Sequence, residues 1–236
     1  MRYFKVDDRV FEMLPDYCVG VVSVTGFDNS REYEKISDML DTGIKGFAER
    51  HKDDNVREIT GVKAYRDAFI NVGMNPNKYM VSIEALAKRI MKNPELPHIN
   101  PLVDLGNAFS VTYEVPMGAH DIDRMAGDFE IRFSTPEDSF LPMGSDQTEI
   151  MPEGELCYVS GNTVKTRRWM WRQSEDGKIT EDTTNIFVPI DGFESVNRDA
   201  VIEARDTLAE FLKNDLGLDV ICDLLDSKNR KCLIQN

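Results

Sequence analysis

The chain has 236 residues, of which 41% are hydrophobic and 30% are charged, a balance typical of a globular protein with its own core. No apolar run approaches the ~20 residues of a membrane span, and the N-terminal stretch lacks the apolar segment of a secretory signal. With 42 acidic and 28 basic residues, the net charge of −14 disfavours strong, sequence-independent binding to nucleic-acid backbones.

The four cysteines form no C-x-x-C pair and have no histidine at a zinc-binding spacing. Neither a glycine-rich phosphate loop nor a metal-binding triad is visible in the sequence. We therefore predict no metal, no other cofactor and no use of ATP. Thiols without disulfide or zinc patterns are typical of a reducing compartment, so a cytoplasmic location without membrane attachment is expected.

The first half of the chain predicts two strands followed by four helices. The residue pattern alternates over 2–6, β-branched residues dominate 16–25, and apolar residues then recur at helical spacing. Ser82 and Asn100 are predicted helix caps, Pro101 suits a first helical position, and Gly73 suits a left-handed helix end. The predicted elements are strands over 2–6 and 16–25, and helices over 30–51, 55–72, 82–93 and 100–113.

The second half predicts mainly strands. Gly161 and Asn162 favour a hairpin turn, and Pro189 within an apolar run suggests an edge strand or a bulge. The predicted strands cover 129–133, 155–159, 164–171, 186–190 and 218–225, with one amphipathic helix over 197–214. The pattern indicates an α+β fold in which helices pack on a mixed, mainly antiparallel sheet. We expect one compact domain over 1–236.

A family resemblance rests on residues 100–107, which read Asn-Pro-Leu-Val-Asp-Leu-Gly-Asn, together with Pro116 and Asp121. This pattern resembles the B3/B4 domain of the phenylalanyl-tRNA synthetase β subunit, the editing module that hydrolyses wrongly attached tyrosine from the tRNA. Free-standing B3/B4-domain proteins are more similar still, through the segments 65–69, 73–79, 82–86 and 167–174. The resemblance spans about 59–190 and implies that 1–55 and 195–236 complete the fold.

The sequence departs from the synthetase pattern at several pocket positions. Gly106 stands where the synthetase usually has threonine, and Gly118 stands where it has histidine, with His120 two residues further on. The synthetase's glycine-rich segment is replaced by 169–173, and its pocket glutamate by Pro189 or Ile190. Asn107 and Asp121 are thus matched, whereas the histidine, the glutamate and the glycines are not.

The resemblance implies a pocket that hydrolyses an aminoacyl ester. Such a pocket needs a positioned water, a contact for the developing oxyanion and an anchor for the α-amino group. A histidine can orient water because its ordinary pKa is about 6.5. The candidate catalytic residues are Asn107, His120 and Asp121, and the candidate substrate-binding residues are Glu84, Asp104, Gly106, Gly118, Arg172 and Gln173.

Each candidate also has a structural interpretation. A single histidine in a turn is more often a surface or capping residue, and Asn100, Asp104 and Asn107 equally fit helix caps or hydrogen-bonded core polar groups. Loss of the synthetase's histidine and glutamate favours an alternative function. In that alternative, the chain is a non-catalytic module that binds a tRNA end, an amino acid or a protein.

The segment 167–172 is the only cluster in this acidic chain that combines basic and aromatic residues. Aromatic rings beside arginines can stack on a nucleotide base, so Arg167, Arg168, Trp169 and Trp171 are candidates for binding the acceptor end of a tRNA. Strand alternation would place Arg167, Trp169 and Trp171 on one face. Equally, the tryptophans could fill the sheet core while the arginines pair with acids. The predicted partners are the tRNA acceptor end and an amino-acid moiety, and the sequence leaves the oligomeric state open.

Overall fold

The computed structural model describes residues 1–235 and has the predicted α+β architecture, with helices packed on two β-sheets in a single compact unit. The helices are α1 (Asp8–Met13), α2 (Glu34–Arg50), α3 (Thr60–Asn71), α4 (Ser82–Lys92), α5 (Pro101–Tyr113) and α6 (Arg198–Glu210). Three short helical turns add Val56–Glu58, Ile122–Arg124 and the π-helical Phe211–Asp215. The strands are β1 (Arg2–Val6), β2 (Tyr17–Thr25), β3 (His120–Asp121), β4 (Phe129–Phe133), β5 (Ser139–Phe140), β6 (Glu149–Ile150), β7 (Leu156–Ser160), β8 (Thr163–Arg167), β9 (Arg172–Gln173), β10 (Ile186–Phe193), β11 (Asp219–Leu225) and β12 (Lys231–Gln235).

The larger sheet has the strand order β12-β1-β4-β7-β8-β5-β6, with β9 paired to β8. Its β1–β4 and β5–β8 pairs are parallel, and its other pairs are antiparallel. The smaller sheet has the order β11-β2-β10-β3 and is antiparallel throughout. The prediction of a mixed, mainly antiparallel sheet is therefore confirmed, although the strands form two sheets.

Side chains of β10 alternate between two cores, as a strand buried on both faces requires. Ile186, Val188 and Ile190 join the apolar core that includes side chains of α5 and α6. Phe187 belongs to the core shared with the larger sheet, where its ring lies 5.1 Å from that of Phe129. By the same alternation, the odd-numbered positions of β10 face the larger sheet, and the candidate site described below lies on that side.

Pro189 lies where the pairing of β10 is interrupted. The proline nitrogen cannot donate a hydrogen bond, and the neighbouring strand β3 is only two residues long. Instead, the backbone N–H of Gly118 donates to the carbonyl oxygen of Pro189 at 3.3 Å. The proline thus marks a partly open edge, in agreement with the prediction.

Three of the predicted helix-end signals are confirmed, including Pro101 at the first position of α5, and one is wrong. The Asn100 side chain accepts the N–H of Val103 at 3.0 Å, and Gly73 adopts a φ of +76° after α3. Ser82 is not the cap, because it is the first residue of α4 and Val81 is the N-cap. The Ser82 hydroxyl is therefore available for another contact.

Other differences concern short elements. The predicted helix over 55–72 is divided into the helical turn Val56–Glu58 and α3, and α2 begins at Glu34 rather than at residue 30. Helix α1 and strand β12 were not predicted, because six and five residues carry too little periodicity. No helix within residues 1–235 is long and apolar enough to cross a bilayer.

The prediction of one strand over 164–171 is wrong beyond Arg167. Arg168 and Trp169 adopt left-handed backbone conformations, with φ of 49° and 58°. The chain therefore reverses, and β9 returns antiparallel to β8 with Thr166 opposite Gln173. The predicted alternation of side chains over 167–172 does not apply in a turn.

Candidate functional site

A cavity of about 180 Å³ opens beside the interrupted edge of β10, between this strand and the hairpin of β8 and β9. An engineered cavity of about 150 Å³ holds a benzene-sized ligand, so the space suffices for a small organic group. Four segments besides β10 contribute to its wall. The lining residues are Ser82, Pro116, Met117, Gly118, His120, Tyr158, Thr166, Trp169, Met170, Trp171, Arg172, Gln173, Pro189 and Asp191.

Asp191 supplies a carboxylate to the cavity wall, although its side chain is almost fully buried. Its Oδ1 accepts hydrogen bonds from the hydroxyls of Tyr17 (2.6 Å) and Tyr158 (2.8 Å) and from the indole N–H of Trp169 (2.8 Å). Burial raises the pKa of Asp191 to about 6, even though these hydrogen bonds favour the ionised form. Asp191 is therefore a buried acid held by three aromatic donors.

The left-handed turn explains how Trp169 reaches this acid. Its backbone N–H donates to the carbonyl oxygen of Leu156 at 2.7 Å, and its ring is fully buried beside Tyr17. A left-handed conformation costs a non-glycine residue about 1–2 kcal/mol. The burial of the indole and its bond to Asp191 offset that strain, and backbone strain of this kind is characteristic of functional sites.

His120 contributes a neutral imidazole. Its ring packs 4.7 Å from that of Phe129, and Nδ1 is buried without a hydrogen-bond partner among residues 1–235. Burial lowers the pKa of His120 to about 3, with a smaller contribution from the nearby ammonium group of Lys165. The imidazole is consequently uncharged at physiological pH, with one nitrogen that donates and one that accepts.

Gln173 joins the β9 hairpin to the segment before β3. Its side-chain amide donates to the carbonyl oxygens of Ala119 (2.8 Å) and Gly177 (2.9 Å). The role of this amide is thus to hold the cavity walls together. Gly118 lies opposite, with room for a Cβ atom that would come 3.5 Å from Nε2 of His120.

Cations and aromatic rings surround the cavity mouth. The Arg168 guanidinium lies 3.9 Å from the ring centre of Tyr79 and 4.9 Å from that of Trp171, and it pairs with Glu155 at 3.1 Å. Arg172 is exposed beside Trp171. The mouth therefore presents Arg172 and a partly exposed Trp171, whereas Arg168 already has partners within the protein.

Two of the predicted RNA-binding residues have little solvent-exposed surface with which to contact RNA. Trp169 is fully buried, so its ring cannot stack on a nucleotide in this structure. Arg167 forms ion pairs with Glu149 at 2.6 Å and with Glu155 at 2.8 Å. The alternative interpretation, in which a tryptophan fills the core and the arginines pair with acids, describes these two residues.

Four of the predicted pocket residues line the cavity: His120, Gly118, Arg172 and Gln173. The others do not. Gly106 and Asn107 are half-buried on α5, outside the cavity lining.

Three further acids predicted for the pocket have structural partners elsewhere. Asp104 accepts the backbone N–H of Ile99 at 3.0 Å and contacts Nδ1 of His98 at 2.8 Å. Asp121 accepts the hydroxyl of Thr183 at 2.8 Å and caps the following helical turn. The fully buried Glu84 lies outside the cavity lining and pairs with Arg66 and Lys88. The convergence expected from sequence is therefore incomplete, because neighbouring positions on a helix or strand face different directions.

Sequence reasoning missed Asp191, Tyr158, Thr166 and Ser82 as cavity residues. One signal for Asp191 was available, because an acid within the apolar run 186–193 is costly to bury without a purpose. Among residues 1–235, no group of three or more His, Cys, Asp or Glu side chains is arranged to hold a metal ion.

The B3/4 domain family model matches residues 64–214, which is more than half of the chain. This chain therefore belongs to the B3/4 domain family. No curated protein matches it. A solved structure of an N-terminal fragment of the phenylalanyl-tRNA synthetase β subunit from Pyrococcus horikoshii matches 92% of this chain with 13% identity and a TM-score of 0.46. The match covers 49% of that chain, so the protein described here spans about half of its length.

Proposed function

We propose that this protein is a trans-acting editing factor, which hydrolyses the ester bond between a tRNA and a wrongly attached or non-canonical amino acid. Membership of the B3/4 family supports the proposal. The observation that carries it is His120, a neutral imidazole in the cavity wall whose buried Nδ1 has no partner within residues 1–235. Unpaired buried polar atoms are uncommon, and functional sites are one of the places where they occur.

The cavity has the groups that ester hydrolysis needs. An aminoacyl ester is already activated, so a positioned water and a donor for the developing oxyanion suffice. With a pKa of about 3, His120 is too weak a base to hold a proton, and its part is to orient the water. The hydroxyls of Ser82 and Thr166 also line the cavity and can donate to the oxyanion.

The tRNA would approach through its acceptor end alone. Arg172 and Trp171 lie at the mouth, where a guanidinium and an indole suit a phosphate and a terminal base. The net charge of −14 opposes a large contact with the tRNA backbone. A small contact area fits a factor that recognises mainly the esterified amino acid.

The alternative function is a non-catalytic module that binds the same ligand. The low basicity of His120 favours this alternative, as do the positions of Asn107 and Asp121 outside the cavity. In either function we propose that 1–236 act as one domain. Strand β2 lies outside the family match and nevertheless pairs with β10 along its whole length, which supports a single domain.

The test is a deacylation screen with the purified protein and a panel of tRNAs that carry correct, incorrect, D- and non-protein amino acids. His120→Gln is compared with His98→Gln, the same change at a half-exposed histidine outside the cavity. Accelerated loss of one ester, abolished by His120→Gln and retained by His98→Gln, would establish editing. No acceleration with any ester by the folded protein would exclude hydrolysis and leave the binding module.

A further inference from the structure

Asp191 is a buried acid without a cationic partner. Its side chain is 2% exposed, and no lysine, arginine or histidine within residues 1–235 forms an ion pair with it. Buried charges in proteins are normally paired, because removing an ion from water costs several kcal/mol, on the order of the whole stability of a domain. The charge of Asp191 is therefore uncompensated inside the protein.

The basic residues in and around the cavity have other partners, are uncharged or are exposed. Lys165 donates to the carbonyl oxygen of Arg124 at 3.1 Å and pairs with Asp176 at 2.9 Å. His120 is uncharged, and Arg172 is exposed at the mouth of the cavity. A cation that pairs with Asp191 would therefore have to be supplied by a molecule that enters the cavity.

The two carboxylate oxygens are used unequally. Oδ1 accepts three hydrogen bonds, whereas Oδ2 accepts one at 3.0 Å, from the Tyr158 hydroxyl that also donates to Oδ1. An ionised carboxylate offers about four acceptor positions, so Oδ2 retains capacity for a strong donor. The aromatic donors favour the ionised acid and leave Oδ2 with capacity for a further donor.

The walls around Asp191 also suit a cation. The rings of Tyr158, Trp169 and Trp171 line the same cavity. Aromatic faces attract organic cations, and more strongly where the cation is removed from water. A small cavity that combines aromatic walls with one carboxylate favours a substituted ammonium ion over a neutral ligand.

We propose that the cavity binds a ligand through a primary ammonium group, which pairs with Oδ2 of Asp191. This inference rests on the proposed function only because it takes the ligand to be an amino-acid moiety. Within that moiety, the group that the site recognises is the ammonium. Such an ammonium is either the α-amino group or the end of a basic side chain. Asp191 is then a specificity-determining residue that rejects ligands without a cation.

The test uses two matched pairs of small ligands with the full-length protein and without tRNA. Leucinamide is compared with 4-methylpentanamide, which lacks only the α-amino group. 5-Aminopentanamide is compared with hexanamide, in which a methyl group replaces the terminal ammonium. The readout is the ¹⁵N–¹H signal of the Trp169 indole, which donates to Asp191 and is assigned with a Trp171→Phe variant.

We expect one amine to shift the Trp169 indole signal in a saturable way, and its neutral counterpart to bind about 10- to 100-fold more weakly, as the loss of a charge-assisted hydrogen bond implies. A response in the leucinamide pair would identify the α-amino group as the recognised ammonium. A response in the 5-aminopentanamide pair would identify the ammonium at the end of a side chain. Equal binding of a neutral amide and its amine, or no response to either amine, would overturn the proposal.

Asp191→Asn should weaken binding of the amine by a similar factor, while Asp182→Asn, which removes one charge from an exposed acid, should not. If Asp191→Asn does not fold, the ligand pairs still decide the question with the wild-type protein. Amine selectivity without deacylation would refute only the editing function, whereas deacylation without amine selectivity would refute only this inference.

Discussion

Two buried acids of this chain, Glu84 and Asp191, have opposite surroundings. Glu84 in the first turn of α4 is fully buried and pairs with Arg66 at 2.8 Å, Lys88 at 2.6 Å and, more distantly, Arg57 at 3.9 Å. Asp191 is equally buried but has only neutral donors. A buried acid with excess cations is satisfied by the fold itself, whereas one without cations in a cavity wall is available to a ligand. The family signature includes Glu84, yet the geometry places the binding capacity at Asp191.

The largest expected effect tests the structural role of Glu84. Glu84→Gln leaves Arg66 and Lys88 beside a neutral amide, and breaking a buried ion pair in this way costs about 3–5 kcal/mol of stability. The measurement is the free energy of unfolding in urea. Asp191→Asn is the matched variant and should cost less, because it leaves no cation unpaired. A larger loss of stability for Asp191→Asn than for Glu84→Gln would contradict this difference between the two acids.

A second prediction concerns the donors that hold Asp191. Tyr17→Phe removes the hydroxyl that donates to Oδ1 at 2.6 Å in the core, at a cost of about 1.5–3 kcal/mol for a hydrogen bond to a charged group. Tyr113→Phe is the control, since its hydroxyl bonds to Thr207 at the surface, and it should change stability by less than about 0.5 kcal/mol. Equal effects in urea unfolding would show that Asp191 is not ionised.

The third prediction is a pH dependence. The pKa of Asp191 is raised by burial to about 6, above the ~3.9 of an unfolded aspartate, so the folded state binds the proton more tightly. The wild-type protein should therefore gain stability relative to Asp191→Asn as the pH falls from 7 to 4.5, by on the order of 2 kcal/mol. Unfolding free energies of both proteins across this range test the sign. A loss of relative stability on acidification would mean that Asp191 has a cationic partner.

The smallest expected effect is at the surface, where an acid has a titratable partner. His51 contacts Asp54 and Glu114, each at 2.8 Å. Burial lowers the pKa of His51, but the hydrogen bonds to these acids outweigh it, and the pKa is raised overall. The resulting stabilisation is present below the unfolded pKa and is lost as the pH rises through the folded one. His51→Gln should remove less than about 1 kcal/mol at pH 5.5 and almost nothing at pH 8.5. A loss that is the same at both pH values would assign His51 a packing role.

Much of the fold could be predicted because its long elements have strong local signals. Helix α5 has the Asn100 cap, Pro101 and an apolar stripe, and β10 has a run of β-branched residues. The short elements α1, β5, β6 and β12 lack such signals, since a few residues do not establish a period. The division into two sheets depends on pairing between distant segments such as β1 with β12.

The candidate site was predictable only in part, for a related reason. His120, Gly118, Arg172 and Gln173 lie on segments that the family motif brings to the cavity, and the sequence indicated them. The direction of the individual side chains could not be read from it. Asp104 and Asn107 lie on α5, which carries part of the family motif, yet no residue of this helix lines the cavity.

The sequence by itself determined the family and the α+β class, because ordered motifs and periodic apolar patterns are local properties of a chain. Only the tertiary structure decided which polar groups share the cavity. The left-handed turn at Arg168 and Trp169 bonds the Trp169 indole to Asp191, 22 residues further along the chain. Tyr17 reaches the same carboxylate from 174 residues away. Such contacts arise from strand pairing and packing between segments far apart in the chain, which no local pattern encodes.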